Sequence, residues 1–322
     1  LILHSIFCIL HFFMLLCIGT TPTVQRTLTF ARLVPDEVNR AASVDEYASG
    51  KSVNVARVAA AIGAQARVTG FIGGDRGRFL AAELSKGGIA HDFQPVPAQT
   101  RLCTTVIDRA QGTVTELVEE HAPVTPEDFD RLLERCVRHL QKKKTIAVLS
   151  GSLPPRSNPG FYRRVIEVAH ARQVRVVLDS RGGPLHEALR IGGFIAKLNL
   201  AELAETVDRP LRTEAAIKRA MREVSPRGGA ICITMGKEGA AAWDGETFWR
   251  IASPRVRAVN PIGSGDAFAA GMAVALERGG PLIAGCILGS ACGAANVMTE
   301  RAGVVDPAQV ERLRKKVKVT RW

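Results

Sequence analysis

The sequence predicts an α/β fold, with a mostly parallel sheet covered by helices and a small β-sheet lid. Three observations lead there. From Ala66 onward, short apolar runs of strand length alternate with helix-like stretches. The polar, glycine-containing motifs fall at the carboxyl ends of those runs, where open parallel sheets bind ligands. Two regions of polar/apolar alternation interrupt this pattern, as half-exposed strands would.

The chain opens on an apolar stretch, Leu1 to Ile18. It lacks a basic n-region and an Ala-x-Ala cleavage site, and it is shorter than the ~20 residues of a membrane span. Leu15 to Thr20 reads as a buried first strand. Met14 stands just before it, so the expectation is that Met14 is the native start and residues 1–13 are an upstream extension. Thr27 to Phe30 alternates, and the alternation returns at Arg101 to Asp108 and Thr113 to Val118, with Gln111-Gly112 as the turn. These segments predict the lid.

Between them, Ala48-Ser49-Gly50-Lys51-Ser52-Val53-Asn54 runs into a helix that continues through Ala61. Gly50-Lys51-Ser52 resembles the end of a P-loop. That motif needs a further Gly where Asp45 stands and a buried strand before it, and neither is visible. The core then alternates: strands at Val68 to Ile72, Ile146 to Leu149, Val174 to Leu178, Phe194 to Leu198 and Ala230 to Thr234, and a helix at Arg78 to Lys86. At the ends of these strands stand Ser150-Gly151-Ser152, Asp179, Asn199-Leu200-Ala201-Glu202 and Met235-Gly236-Lys237-Glu238-Gly239.

Composition describes an ordinary globular chain, with 46% hydrophobic and 23% charged residues. A net charge of +12 favours an anionic partner. Nucleic acid is disfavoured, because the basic residues are scattered and aromatics reach only 5%. The runs Lys142 to Lys144 and Arg312 to Lys318 read as solvated helix faces or ends. A phosphorylated small molecule fits the charge equally well. Seven cysteines without Cys-x-x-Cys spacing point to reduced, buried thiols and a cytoplasmic setting, with no Cys/His metal cluster. No membrane partner is expected.

The most informative stretch is Val259-Asn260-Pro261-Ile262-Gly263-Ser264-Gly265-Asp266-Ala267-Phe268. A turn and a small-residue loop open directly into an apolar helix. The first N–H groups of a helix lack internal partners and carry partial positive charge, so the loop is a ready anion site. Asp266 adds a carboxylate beside it. Phosphoryl transfer needs this pairing: donors facing the developing charge, and a base for the attacking hydroxyl. A plain Gly-rich turn with Asp as a helix cap would share the local pattern. A dinucleotide fingerprint does not, since Phe268 replaces its third Gly and no early strand carries one.

This stretch resembles the C-terminal signature of the PfkB family of sugar kinases, within the ribokinase-like superfamily, and the similarity extends from about Leu15 to the C-terminal region. Gly50 and Asn54 match the first signature. Asn199 and Glu202 match an Asn-x-x-Glu motif. The resemblance implies a three-layer α/β/α sandwich over residues 14–322, with lid strands at about 26–50 and 99–119. It implies an ATP- and Mg²⁺-dependent kinase that dimerises through the lid. By the same resemblance Asp266 is the base, with Gly263, Ser264 and Gly265 donating backbone N–H groups. Arg40, Gly50, Lys51, Asn54, Arg101 and Ser152 surround the sugar phosphate. Lys197, Asn199, Thr234, Gly236 and Gly239 contact ATP, and Asn199 and Glu202 hold Mg²⁺ through water.

Asp266 at a helix N-terminus is expected to stay ionised and act as a weak base. One departure bears on the acceptor. Hexose-phosphate kinases of the family usually carry an Asp where this chain has Gln25, and Gln brings no negative charge. The reading is a kinase for a phosphorylated ketohexose, fructose 1-phosphate ahead of fructose 6-phosphate and tagatose 6-phosphate. A kinase for an unphosphorylated sugar or a nucleoside, and a sugar-phosphate sensor without catalysis, are the alternatives.

Overall fold

A computed structural model describes residues 14–140 and 145–322. The extension expected at residues 1–13 and the basic run at Lys142 to Lys144 lie outside the described residues.

The first strand, Met14–Ile18, lies inside a ten-stranded sheet, flanked in parallel by Thr145–Ser150 and Ala66–Thr69. From Thr145–Ser150 the sheet continues in parallel through Arg175–Asp179, Ile195–Asn199 and Ala230–Thr234. It then turns antiparallel through Ala240–Trp243, Phe248–Ala252 and Lys318–Arg321. Successive residues of a strand face opposite sides of its sheet. Leu15 and Cys17 accordingly join one apolar cluster, and Leu16 and Ile18 the other. Both faces are therefore covered by helices, which gives the three layers. This is the ribokinase-like α/β architecture that the sequence predicts.

The lid is a separate four-stranded sheet. Thr23–Phe30 pairs antiparallel with Ser43–Ser49 and parallel with Arg101–Asp108, which pairs antiparallel with Thr113–Val118. The alternation at Thr27 marks only the second half of its strand. Thr23 and Gln25 are also buried polar residues, so a polarity pattern hides the first half. The strand that precedes Gly50-Lys51-Ser52, Ser43–Ser49, falls in the expected lid span and is not the buried strand a P-loop needs. It is a lid strand that buries only Tyr47, Ala48 and Ser49, so its polar start conceals it. The strand expected at Val68 to Ile72 breaks at Gly70, whose backbone lies against the Gly19 carbonyl.

Two helices carry the loop that ends at Asp266. Ser264–Glu277 is buried through Leu276, and it packs on Leu282–Asn296. A Cβ on Gly271 would come within 2.7 Å of Leu288 O, and one on Gly289 within 2.7 Å of Phe268 O. Only glycine permits so close an approach of the two backbones. No helix among the described residues is long and apolar enough to cross a membrane. The six described cysteines are buried and free, and Cys8 lies outside the described residues.

Candidate active site

The helix Ser264–Glu277 starts because Gly263 adopts a left-handed backbone (φ 81°), which an L side chain disfavours. A side chain there would also strike Ala302 and Gly303. The Ser264 N–H is taken by Pro261 O at 3.2 Å. Among the described residues, the Gly263 and Gly265 N–H groups donate to no partner. The Gly263 and Gly265 N–H groups are therefore the loop donors left open, and Ser264 spends its N–H on shaping the turn.

Asp266 sits in the first turn of that helix, 7% exposed. Asn54 Nδ2 donates to its Oδ2 at 2.8 Å, and Ser49 Oγ donates to Asn54 Oδ1 at 3.1 Å. Burial pushes the Asp266 carboxyl up to about 6, with Asp179 adding to the rise against the opposing pull of Lys51, Asn54 and Lys197. The expected weak base is thus corrected. A helix N-terminus is visible in sequence, but the loss of water around this carboxylate is not, and burial wins.

At the floor lies Asp179, the last residue of its strand, with no exposed surface. Its Oδ1 accepts from Lys51 Nζ at 2.9 Å and its Oδ2 from Lys197 Nζ at 2.8 Å. Burial opposes ionisation of Asp179, but the two ammonium groups overcome it and hold the carboxyl at about 2. Lys51 is likewise held charged: burial lowers its basicity, and Asp179, Asp266 and Glu202 together raise it above the ordinary lysine range. A Cβ on Gly265 would stand 2.9 Å from Lys197 Nζ, so this lysine borders the anion loop.

The residues expected around the sugar phosphate gather near Lys51. Gly50 (φ 104°) ends the lid strand and caps the helix Lys51–Ala61 against Pro22. Ser152 O accepts from Thr20 Oγ1 at 2.8 Å and from Thr21 Oγ1 at 3.4 Å, while Arg101 Nη2 donates to Thr21 O at 3.1 Å. A Cβ on the neighbouring Gly151 would lie 4.0 Å from Lys51 Cδ. Arg101, Ser152 and Lys51 thus lie near one another, and Arg101 Nε is buried there without a partner among the described residues.

On the opposite side, Asn199 caps the helix Leu200–Thr206. Asn199 Oδ1 accepts from Glu202 N, and Glu202 Oε2 accepts from Asn199 N, both at 2.8 Å. Thr234 is in register with Asn199, and its hydroxyl donates to Leu198 O at 3.4 Å. Gly236 and Gly239 take positive φ (55° and 86°) around a single 3₁₀ turn.

The chain matches the pfkB family carbohydrate kinases over residues 13–309. It belongs to that family. The kinase is therefore an ATP-dependent sugar kinase by family. Solved structures share its fold at low identity. Phosphofructokinase-2 from Escherichia coli, in complex with substrates and products, aligns at 24% identity with a TM-score of 0.87, over 94% of this chain and 98% of that one. A Thermotoga maritima protein named as a candidate 1-phosphofructokinase aligns at 23% and 0.87, over 96% and 99%. Arabidopsis thaliana ribokinase, with ribose and ATP, aligns at 20% and 0.75, over 94% and 99%.

Of the residues singled out from the kinase sequence, Lys51 and Lys197 meet at Asp179, Asn54 holds Asp266, Lys197 borders Gly265, and Arg101 and Ser152 meet through Thr21 next to Gly151 and Lys51. Gln25 is buried in the lid strand, with its Nε2 donating to Thr105 Oγ1 at 2.8 Å. Arg40 is not brought in. It is exposed on the loop between the first two lid strands, and among the described residues it has no hydrogen bond or ion pair. The sequence showed its charge but not the direction of its loop. Asp179 was noted only as a strand end, yet an acidic residue at the carboxyl end of a buried strand is itself a site signal.

Proposed function

We propose that this kinase transfers the γ-phosphoryl group of ATP to a hydroxyl of a phosphorylated ketohexose, with fructose 1-phosphate favoured over fructose 6-phosphate and tagatose 6-phosphate. The observation that carries this is the pair of cationic groups on the acceptor wall. Lys51 is held charged beside the buried Asp179 carboxylate, and Arg101 keeps a buried Nε without a partner among the described residues. Lys51 already has the Asp179 carboxylate, but an unphosphorylated sugar would leave the Arg101 donor without a counter-charge, at a desolvation cost of ~1–3 kcal/mol for the unsatisfied group.

The acceptor hydroxyl loses its proton to Asp266, its oxygen takes the phosphoryl group, and ADP departs. The N–H groups of Gly263 and Gly265 face the charge that spreads over the transferring oxygens. Lys197, beside Gly265, grips the donor phosphates. Asp266 has a pKa near neutrality, which suits a base that must be free at pH 7 yet accept a proton.

Mg²⁺ fits the donor side. Among the described residues no cluster of three His, Cys, Asp or Glu forms a metal cage. Mg²⁺ shared with phosphates keeps its waters and needs few protein oxygens. Glu202 Oε2 is used by the helix cap, and its Oε1 accepts nothing among the described residues, so it is open to a metal-bound water. Asn199 spends Oδ1 on the same cap and is the lesser partner. When bound, Mg²⁺ offsets the charge of the donor phosphates.

The outer face of the lid leaves Val44 and Leu117 exposed (62% and 57%), and the proposal includes a homodimer that covers them. A panel of sugars, phosphorylated and free, with ADP release as the readout, tests the reading. Turnover of free sugars above all phosphorylated ones would overturn it, and so would binding of a sugar phosphate without ADP release.

A further inference from the structure

We infer that Asp179 is a positioning residue that fixes the acceptor-side and donor-side cations at a set separation across the transfer centre. Each of its oxygens holds one lysine. Lys51 comes from the helix behind the lid and Lys197 from the central strand Ile195–Asn199. The two lysines otherwise belong to different halves of the site.

The same segment holds the acceptor loop by its backbone. Gly151 N donates to Asp179 O at 2.9 Å, and Ser180 Oγ donates to Gly151 O at 3.0 Å. Asp179 and Ser180 therefore set Lys51, Lys197 and the Gly151-Ser152 turn from one rigid strand end. Two ammonium groups this close repel each other. Without a carboxylate between them they would swing apart, and one would leave its substrate. Stability alone does not explain the arrangement, because buried ion triads are often no more stable than apolar packing of the same volume. It does place charge at defined points, which phosphate recognition requires.

Four charged groups face one another here: Lys51 from its helix, Asp179 and Lys197 from adjacent strands, and Asp266 from the catalytic helix. Their charges sum to zero before any substrate enters. Two phosphates meeting at Asp266 then find both lysines held by Asp179, one on each of its oxygens.

This rests on the proposed acceptor, so the test separates the two claims. Lys51→Met, Lys197→Met and Asp179→Asn are compared at saturating Mg²⁺, with both KM values and kcat measured for the best sugar phosphate of the panel. Lys51→Met is expected to raise the acceptor KM about ten-fold and leave that of ATP nearly unchanged, and Lys197→Met to do the converse. Asp179→Asn is expected to raise both KM values together, about five-fold each. A merely structural residue would lower the melting temperature without that paired change.

Binding of a non-hydrolysable ATP analogue, followed by calorimetry, checks the donor half even if the sugar is misassigned. Should Asp179→Asn fail to fold, the Lys51→Met/Lys197→Met double variant decides. Its kcat/KM departs from the product of the single effects if Asp179 couples the lysines, and equals that product if it does not. Unchanged KM values in Asp179→Asn overturn the inference. So does a defect restored by raising Mg²⁺ alone, which would make Asp179 a metal ligand instead.

Discussion

Asn54 donates its side-chain N–H to Asp266 across 2.8 Å, tying the helix behind the lid to the proposed base. Asn54 was expected to hold the sugar. Its Oδ1 accepts from Ser49 and one Nδ2 hydrogen serves the carboxylate, so its contacts also suit it to orient the proposed base.

That contact sets a pH dependence. Burial raises the Asp266 pKa to about 6 and the Asn54 hydrogen bond pulls it down, so the base is protonated and idle at low pH. kcat/KM should rise with pH through about 6 and level off above it. In Asn54→Ala the ionised form loses a donor, and the rise should move to higher pH. A profile that stays in place, or moves down, would remove Asn54 from this role.

Asp266→Asn should cost ~10²–10⁴ in rate and leave ATP binding almost intact, since the shape remains and the base is gone. Stability gives a second check with a definite sign. The folded pKa is about 6 against 3.8 for the unexceptional group, so the folded state holds the proton more tightly. Ionising Asp266 therefore lowers stability as pH rises from 3.8 to about 6, and the loss is complete above that window. The Asn variant should melt higher than the parent at pH 7, with the gap closing toward pH 4. A variant with near-normal turnover would rule out Asp266 as the base.

The fold was largely legible because strand-length apolar runs and the helices between them leave a periodic trace. The site was legible where backbone conformation needs special residues, at Gly50 and Gly263. It was not legible where function comes from burial. Nothing local in sequence tells that Asp266 loses its water, or that Asp179 meets two lysines far away in the chain, Lys51 on one side and Lys197 on the other. Tyr47 is a similar case. It is a lid residue, fully buried, whose hydroxyl accepts from Ala302 N, and Ala302 in turn packs on Gly263. Such contacts between distant segments exist only after folding.

Arg101→Ala should weaken the acceptor far more than ATP. Arg101 donates from Nη2 to Thr21 O at 3.1 Å and from Nη1 to Glu119 O at 3.4 Å, and its buried Nε, without a partner among the described residues, is the donor proposed for the acceptor phosphate. A charge-assisted hydrogen bond contributes ~1.5–3 kcal/mol, so the acceptor KM should rise about ten-fold or more. Steady-state titration of each substrate at saturating levels of the other reads this directly. A rise confined to the KM of ATP would show that the wall serves the donor.

If Gln25 faces the sugar, as proposed, its hydrogen-bond pattern should bear on which acceptor is used. Its Nε2 is committed to Thr105 Oγ1 at 2.8 Å, while its Oε1 accepts nothing among the described residues. Gln25 therefore has one neutral acceptor oxygen and one remaining N–H to offer a ligand, and brings no charge. Gln25→Asp shortens the reach by one methylene and replaces the donor with a second acceptor oxygen. Thr105 can turn its hydroxyl to donate to the new carboxylate, so the lid strand keeps its contact and the change falls on the sugar. A carboxylate there can take two hydroxyl donors, which differ in placement between fructose and tagatose phosphates. A wrong epimer leaves buried polar groups unpaired, at ~1–3 kcal/mol per group. The ranking among fructose 1-phosphate, fructose 6-phosphate and tagatose 6-phosphate should therefore change in Gln25→Asp, with the KM of ATP almost unmoved. If kcat/KM for all three sugars stays within about two-fold of the parent, Gln25 does not touch the acceptor. Its buried amide would then serve only to pin Thr105 inside the lid.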